Sequence, residues 1–309
     1  MADIDVLGLG AVAVDDFVYV DVYPQPDAKA PVLGRGRHIG GLAATALVAA
    51  ARLGARTAYA GVLGKDELSH AAVGGLADGG IDLRHLVTQP GARPIHSTII
   101  VGRHNASRNI FFDTTGVIGA HPHLPDPAVI KQARVLLVDN FGVAGMLRAA
   151  RVAHAAGIPV VADFEDDDAP GFGDLLALVD HLILSQDFAM HLTHAPDAAS
   201  AVGQLWNPAR QVVIVTAGAA GLWYRTADAA DVQHHPAFPV NTVDSTGCGD
   251  VFHGAYAAGL ASGLGVPERI RIAAAAAAIK ATTPGGQAGI PDRPRIEAFL
   301  EQRSIHGLG

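Results

Sequence analysis

The sequence has a single cysteine, few aromatic residues and no long apolar run. Because Cys248 is the only cysteine among 309 residues, an internal disulfide and a thiolate metal cluster are both excluded. The apolar stretch at residues 273–278 is too short to cross a membrane and predicts a buried helix. Residues 1–5 carry acids where a signal peptide carries bases. We therefore expect a cytoplasmic protein with no membrane partner.

The chain also lacks an excess of basic residues. It has 22 lysines and arginines against 30 aspartates and glutamates, and its net charge is −8. A nucleic-acid-binding protein normally shows a basic patch, and none is visible along this sequence. Half of the residues are apolar, which is enough for one large core. We therefore expect no nucleic-acid partner, and an enzyme fits these features.

Short apolar runs alternate with alanine-rich stretches of helical spacing. Two predicted helices, residues 43–53 and 147–156, each end at a glycine, as helices commonly do. The alternation predicts a parallel sheet with helices on both faces, and ligands at the carboxyl ends of its strands. Asp139, Asp163 and Thr216 stand at such ends. The predicted strands are residues 4–10, 57–61, 135–139, 159–163, 181–185 and 212–216.

Two segments depart from this pattern and predict a small β lid. Valines alternate from Val12 to Val22, which is typical of a strand. Residues 97–101 and 109–113 flank a polar turn at 104–107 and predict a hairpin. We expect a single domain over residues 1–309. Its core would comprise residues 1–10, 38–92 and 114–309, and its lid residues 11–37 and 93–113.

A glycine-rich turn precedes a helix pattern that begins at Asp250. Gly247 and Gly249 lie just before that helix. Backbone N–H groups at a helix N-terminus are unpaired, and the helix dipole adds positive potential. Such a turn can hold a phosphate, and an aspartate beside it can accept a proton from an attacking hydroxyl group.

The run from Asp244 to Asp250 resembles the second signature of the PfkB-type carbohydrate kinases, with Ser245 and Cys248 replacing a threonine and an alanine. The resemblance implies that Asp250 is the catalytic base. It also implies that Asp244 and Thr246 bind a monovalent cation such as K⁺. The predicted anion hole consists of the N–H groups of Gly247, Cys248, Gly249 and Asp250.

Two further motifs resemble the sugar-binding side of the same family. Gly40 and Gly41 introduce a helix in which Thr45 stands where the family has an asparagine. Asp15 matches the aspartate that binds two sugar hydroxyl groups in the family. Asp16 is adjacent, but successive strand side chains face opposite sides, so only one of the two aspartates can face the sugar. The resemblance implies that Asp15, Gly40, Gly41 and Thr45 bind the substrate.

Two further segments resemble the nucleotide-binding motifs of the family. One contains Thr216, Gly218 and Gly221 at and after the end of a predicted strand, and the other is a loop of small residues that contains Gly286. The motifs occur in the family's order over nearly the whole chain. They imply a ribokinase-like three-layer α/β/α fold that uses ATP and Mg²⁺, and a homodimer formed through the lid by analogy. The pattern looks most similar to the sulfofructose kinase branch. Unplaced candidates for a sulfonate site are Lys29, Arg35, Arg37, Arg93, Arg103 and Arg108.

One family motif is missing. Ser185 and Phe188 occupy the positions of an Asn-x-x-Glu motif that assists Mg²⁺. Either Gln186 or Asp187 compensates, or ATP and water hold most of the metal, since Mg²⁺ keeps several waters.

Other functions remain as alternatives. A nucleoside kinase of the same fold is the nearest one. A non-catalytic sugar-binding regulator and an NAD-dependent oxidoreductase rank below it. The glycines at Gly8 and Gly10 form a loose dinucleotide motif, but strand-like alternation follows them rather than the required helix.

Overall fold

A large sheet forms the centre of the computed structural model, which describes residues 3–104 and 107–305. The strands are β1 (Ile4–Gly8), β2 (Ala13–Val20), β3 (Gly34–Gly40), β4 (Thr57–Tyr59), β5 (Val62–Leu63), β6 (Val87–Thr88), β7 (Ile95–Gly102), β8 (Ser107–Asp113), β9 (Ala133–Asp139), β10 (Val160–Asp163), β11 (His181–Ser185), β12 (Val212–Thr216), β13 (Leu222–Thr226) and β14 (Gln233–His235). The helices are α1 (Leu42–Arg52), α2 (Glu67–Asp78), α3 (Pro127–Ile130), α4 (Val143–Ala155), α5 (Phe172–Ala177), α6 (Gln186–Thr193), α7 (Ala198–Leu205), α8 (Cys248–Ala261), α9 (Val266–Lys280) and α10 (Arg293–Ile305).

The large sheet has the strand order β14-β13-β12-β11-β10-β9-β1-β4. The six strands from β12 to β4 are parallel, while β13 and β14 extend the sheet in antiparallel fashion. Each predicted core strand is present, although β1 and β4 end two residues earlier than predicted. Asp139 pairs with Asp163, and Ser185 pairs with Thr216, across neighbouring strands. Polar groups thus collect along the carboxyl edge of the sheet.

Helices cover both faces of this sheet. Along β1, Val6 belongs to one buried cluster and Leu7 to another, because successive side chains point to opposite faces. One cluster packs the sheet against α1, α8 and α9, and the other packs it against α4 and α7. Burial of these apolar faces is the main favourable term in folding. The predicted three-layer α/β/α architecture is confirmed.

A separate small sheet consists of β3, β2, β7 and β8. Strands β7 and β8 form the predicted hairpin, but residues 105–106 of its turn lie outside the described residues. Strand β2 lies between β3 and β7 and is parallel to β7. The sequence did not predict β3, whose residues Gly34–Gly40 include glycines, arginines and a histidine.

Residues 273–278 lie in α9, which confirms the helix predicted there. In the part of the chain that the structure describes, no helix is both long and apolar enough to traverse a lipid bilayer.

Candidate active site

Helix α8 begins at Cys248, two residues before the predicted start. Gly247 is its N-cap and has a φ angle of 75° in the left-handed region. A Cβ atom at this position would lie 2.8 Å from the carbonyl oxygen of Gly286. Only glycine suits this conformation and this contact, because it has no Cβ atom. Gly249 and Asp250 therefore belong to the first turn of the helix.

Three of the four predicted anion-hole amides are open. The N–H group of Cys248 donates to the carbonyl oxygen of Ser245 at 3.1 Å, which corrects the prediction of four free donors. Over residues 3–104 and 107–305, the N–H groups of Gly247, Gly249 and Asp250 have no protein acceptor. Unpaired donors at a helix N-terminus attract anions.

The half-buried carboxyl group of Asp250 lies among other acids. Burial raises the pKa of Asp250, and the carboxylates of Asp163, Glu165 and Asp139 raise it further. Asp163 and Asp139 end the neighbouring strands β10 and β9. Burial likewise raises the pKa of Asp139, to about 7. A raised pKa brings a carboxylate closer to the basicity that suits a proton acceptor near neutral pH.

His253, one turn into α8, connects the helix to the sheet. Its Nδ1 atom lies 2.8 Å from the carbonyl oxygen of Gly249, and its Nε2 atom lies 3.0 Å from that of Ile183. The residue is 3% exposed. These contacts fix the first turn of α8, and with it Asp250, relative to β11. His253 thus bridges helix α8 and strand β11.

The loop at residues 244–247 is bound tightly to the segment after α9. The N–H groups of Val243 and Asp244 donate to the carbonyl oxygen of Ala281 at 2.8 and 3.1 Å. The Nζ atom of Lys280 donates to the carbonyl oxygen of Asp244 at 2.9 Å. Arg108 reaches from β8 and donates to the carboxylate of Asp244 and to the hydroxyl group of Thr246. The glycine turn is thus held by both the core and the small sheet.

Asp15 and Asp16 face opposite sides of β2, as alternation predicts. Asp15 is partly buried against Ser97 and His38, and burial raises its pKa. A Cβ atom at Gly40 would lie 2.6 Å from the Asp15 carboxylate, so this glycine makes room for the side chain. Asp16 instead pairs with Arg37, whose guanidinium holds the pKa of Asp16 at about 2. A carboxylate so paired is not available for a sugar, whereas Asp15 remains a candidate.

Gly41 and Thr45 lie at the start of α1. Gly41 is the N-cap of α1, with a φ angle of 96°, and a Cβ atom there would lie 2.6 Å from the carbonyl oxygen of Ala11. Thr45 is 1% exposed, and its hydroxyl group accepts a hydrogen bond from Gln287 at 3.3 Å. In this structure Thr45 is thus enclosed by the protein. Gln287, which sequence reasoning missed, links α1 to the loop after α9.

The proposed nucleotide residues lie beyond β12. Thr216 ends that strand, and a short 3₁₀ turn, Gly218–Ala220, follows it. Gly221 has a φ angle of 89°, and a Cβ atom there would lie 2.2 Å from the carbonyl oxygen of His235. Gly218 is exposed. Gly286, the fourth proposed nucleotide residue, lies next to Gly247 at the start of α8. The turn after β12 therefore leaves its backbone open at the carboxyl edge of the sheet.

An acidic cleft of about 420 Å³ adjoins the positions of the missing Asn-x-x-Glu motif. Phe188 is 7% exposed and packs edge-on against Phe172, so it is a core residue. The hydroxyl group of Ser185 accepts a hydrogen bond from the N–H group of Phe188 and caps α6. The cleft is lined by Glu165, Asp166, Asp167, Asp168, Ser185, Asp187, Phe188 and His191.

The six candidate sulfonate-binding cations do not form a cluster of free charges. Arg37 pairs with Asp16 and Glu67, and Arg93 pairs with Asp113. Arg103 lies over the ring of Tyr19. Sequence reasoning did not find Lys280, although a single base that ends an alanine-rich helix was a usable signal.

Comparisons with known proteins agree on one family. The family described as pfkB family carbohydrate kinase matches residues 1–293. A ribokinase from Haemophilus influenzae is 28% identical over 95% of this chain and 97% of its own length. A crystal structure of a candidate ribokinase from Agrobacterium tumefaciens is 30% identical, with a TM-score of 0.89, and covers 98% of this chain and 99% of its own. The Arabidopsis thaliana ribokinase solved with ribose and ATP is 22% identical, has a TM-score of 0.84, and covers 97% of this chain and 99% of its own.

Proposed function

Because the chain belongs to the pfkB family of carbohydrate kinases, we propose that it transfers the γ-phosphoryl group of ATP to a sugar hydroxyl group, with Asp250 as the base. The observation that carries this proposal is the placement of Asp250 beside the open amides of Gly247 and Gly249 at the head of α8. The carboxylate of Asp250 can accept a proton close to the point where the amides attract negative charge.

Asp250 accepts the proton of the attacking hydroxyl group. Burial and then the carboxylates around it raise its pKa, which strengthens it as a base, while the ammonium of Lys280 moderates that effect. Its position in the first turn of α8 is fixed by the contacts of His253 with Gly249 and Ile183. In phosphoryl transfer, positioning and electrostatics supply most of the catalysis.

The open amides receive the charge that spreads over the transferring phosphoryl group. A preorganised donor of this kind typically contributes roughly 3 kcal/mol to lowering the barrier. These donors are the N–H groups of Gly247, Gly249 and Asp250. The turn that presents them requires a glycine at position 247, because the φ angle there is 75°. The ATP phosphates would extend from there toward Gly286, Thr216, Gly218 and Gly221.

The acidic residues near Asp250 fit a requirement for Mg²⁺. Asp163 is 7% exposed, and its buried Oδ2 atom lies 3.2 Å from the Nδ1 atom of His253 but accepts no hydrogen bond in the described structure. Carboxylate oxygens are the ligands that Mg²⁺ prefers, together with phosphates and water. Asp163 and Glu165 would hold the metal, and Mg²⁺, when bound, would neutralise phosphate charge. The solved E. coli Ribokinase II candidate that carries ATP and Mg²⁺ supports this requirement.

The substrate would lie between Asp15 and Asp250. Gly40 and Gly41 leave space beside Asp15, and the buried setting of Asp15 favours hydrogen bonds to sugar hydroxyl groups over water. Because Thr45 bonds to Gln287, we assign these two residues jointly to the wall of the sugar site. The small sheet carries Asp15 and would act as the lid that excludes water from the reaction.

We further propose a homodimer through the small sheet. Strand β8 is one of the two edge strands of that sheet, and it exposes Ile110, Phe111 and Phe112. An exposed run of large apolar side chains on a sheet edge is typical of an interaction surface.

The test measures ADP release with Mg-ATP across pentoses, ketohexoses, a sulfonated ketohexose, adenosine and guanosine. We expect a sugar to be the best acceptor; preference for a nucleoside would identify a nucleoside kinase instead. The variant Asp250→Asn should lower the sugar-dependent rate about a thousandfold, while calorimetry still detects ATP binding. Asp228→Asn, at an exposed aspartate after β13, is the matched control. A full sugar-dependent rate in Asp250→Asn would refute the assignment of the base.

A further inference from the structure

The side-chain oxygen atoms that would bind a monovalent cation, according to the family resemblance, already face protein donors. The Oδ1 atom of Asp244 accepts from the N–H group of Thr246 at 2.9 Å and from Arg108 at 3.0 Å. Its Oδ2 atom accepts from the N–H group of Gly285 at 2.8 Å. The hydroxyl group of Thr246 accepts from Arg108 as well. These two residues therefore have their predicted ligand atoms directed at donors rather than at an open cavity.

Lys280 brings a positive charge to the same loop from inside the protein. Its side chain is fully buried, at 0% exposure, and its Nζ atom donates to the carbonyl oxygen of Asp244 at 2.9 Å. Burial lowers the pKa of Lys280, and Arg108 adds to this lowering, while Cys248, Asp244 and Asp250 offset part of it. Lys280 is also the last residue of α9, where the helix dipole favours a cation. A buried charge is tolerated when it is paired and hydrogen-bonded in this way.

A second cation at Asp244 would be repelled by the first. The loop has the ammonium of Lys280 on the Asp244 carbonyl oxygen and the guanidinium of Arg108 on its carboxylate. Like charges held close together in a partly buried site repel each other far more strongly than they do in water. The residues present therefore do not fit K⁺ at Asp244 and Thr246, in contrast to the expectation from the family resemblance.

We propose that the Lys280 ammonium is the built-in cation of the 244–247 loop and that the enzyme works without a monovalent metal ion. The inference rests on the proposed function, because the loop matters to catalysis only if its amides receive the phosphoryl group. An ammonium on a side chain is a compact charge with three donors. It orders the loop together with the neighbouring Ala281 carbonyl oxygen, which accepts from both Val243 and Asp244.

The first experiment measures the sugar-dependent rate of the unmodified enzyme with Mg-ATP in KCl, NaCl and choline chloride at equal ionic strength. The expected rates agree within about twofold, since screening is then the same in each salt. Activation of several-fold or more by KCl over choline chloride would overturn the proposal. This measurement does not depend on whether any variant folds.

The second experiment uses Lys280→Met, which keeps the length of the side chain and removes its charge. We expect its rate in choline chloride to fall about tenfold or more, and KCl or ammonium chloride to restore at least part of it, because the small ion can then occupy the vacated position. Lys131→Met, at an exposed lysine, should match the unmodified enzyme in every salt. A Lys280→Met enzyme with an unaltered rate and no response to KCl would also overturn the proposal.

Thermal unfolding separates this proposal from the proposed function. In the same salts, the Tm of Lys280→Met should rise in KCl or ammonium chloride relative to choline chloride, while the Tm of the unmodified protein stays constant. This shift is measurable even if no sugar in the panel is phosphorylated. An absent shift in the folded variant would count against the built-in cation, whereas an absent rate with every sugar would count against the proposed function.

Discussion

The Nδ1 atom of His253 lies 3.2 Å from the Oδ2 atom of Asp163, which joins the first turns of α8 to the end of β10. The two ring nitrogens of His253 also face two carbonyl oxygens, those of Gly249 and Ile183. Burial lowers the pKa of His253 and so favours the neutral imidazole, which donates only one hydrogen bond and therefore serves one carbonyl oxygen at a time.

His253→Asn should reduce turnover more than substrate affinity. The shorter amide cannot reach both carbonyl oxygens, so Asp250 loses a fixed position while the sugar contacts remain. We expect kcat to fall about tenfold and the KM for the sugar to change less than about threefold. The buried acceptor left unpaired should lower the free energy of unfolding by about 1–3 kcal/mol. Steady-state kinetics and urea unfolding measure both effects.

His154→Asn, at an exposed histidine of α4, is the control for this prediction. An effect confined to KM would contradict the positioning role of His253.

Gly254→Ala should disturb the packing between the two helices that carry Thr45 and Asp250. A Cβ atom at Gly254 would lie 2.0 Å from the carbonyl oxygen of Ala46 in α1, so α8 must move away. Overpacking of this kind costs about 1–3 kcal/mol of stability, and we expect kcat to fall with it. Gly203→Ala in α7 is the matched control, because no atom lies within 4 Å of its added Cβ. The free energy of unfolding of that control should increase by up to about 1 kcal/mol, because alanine is more stable than glycine within a helix. Equal stability of the two variants would disprove the close contact.

Asp139 should make the free energy of unfolding depend on pH. Burial raises its pKa from 3.8 to about 7, so the folded state holds the proton more tightly than the unfolded state. Its contribution therefore favours folding at low pH and is lost as the pH rises from about 4 to about 7. As the pH rises over that interval, the free energy of unfolding of Asp139→Asn should increase by roughly 4 kcal/mol relative to that of the unmodified protein.

Urea unfolding from pH 4 to 8 tests this prediction, with Asp228→Asn as the exposed control. If the stability curves of Asp139→Asn and the unmodified protein run parallel, the carboxyl group of Asp139 does not titrate as described.

Phe112→Asp should convert the proposed dimer into a monomer. The side chain of Phe112 is 71% exposed on the edge strand β8, and a carboxylate there cannot be buried without a partner. Light scattering after size-exclusion chromatography measures the mass. Leu124→Asp, at an apolar residue 42% exposed outside the small sheet, should leave the mass unaltered. A monomer in the unmodified protein would refute the proposed interface.

The parallel core could be predicted because its strands are continuous apolar runs with polar residues at their ends. The strand from His181 to Ser185 and that from Val212 to Thr216 were predicted to the residue. Alternation along β2 likewise predicted that Asp15 and Asp16 face opposite sides, and their different partners agree. In each case a local pattern decides the structure.

The remaining features depend on contacts between distant segments. The start of α8 is set by Gly247, whose positive φ is matched to Gly286 in a loop far along the chain. Strand β3 has no apolar alternation and exists because β2 supplies its hydrogen bonds. The burial of Lys280 follows from the path of the 244–247 loop over the end of α9. Periodicity in a single segment carries no signal for such pairings.

The parallel pairing of β2 with β7 places Ala13 beside Ile95, 82 positions further along the chain. Between them the chain forms β3, α1, β4, β5, α2 and β6, most of which belong to the core. Contacts between residues so far apart in sequence pay a large loop-closure entropy, and they slow folding. The small sheet is therefore expected to form only after folding of the core has brought β2 and β7 together. In a newly synthesised chain, the sheet that covers the site would thus form late.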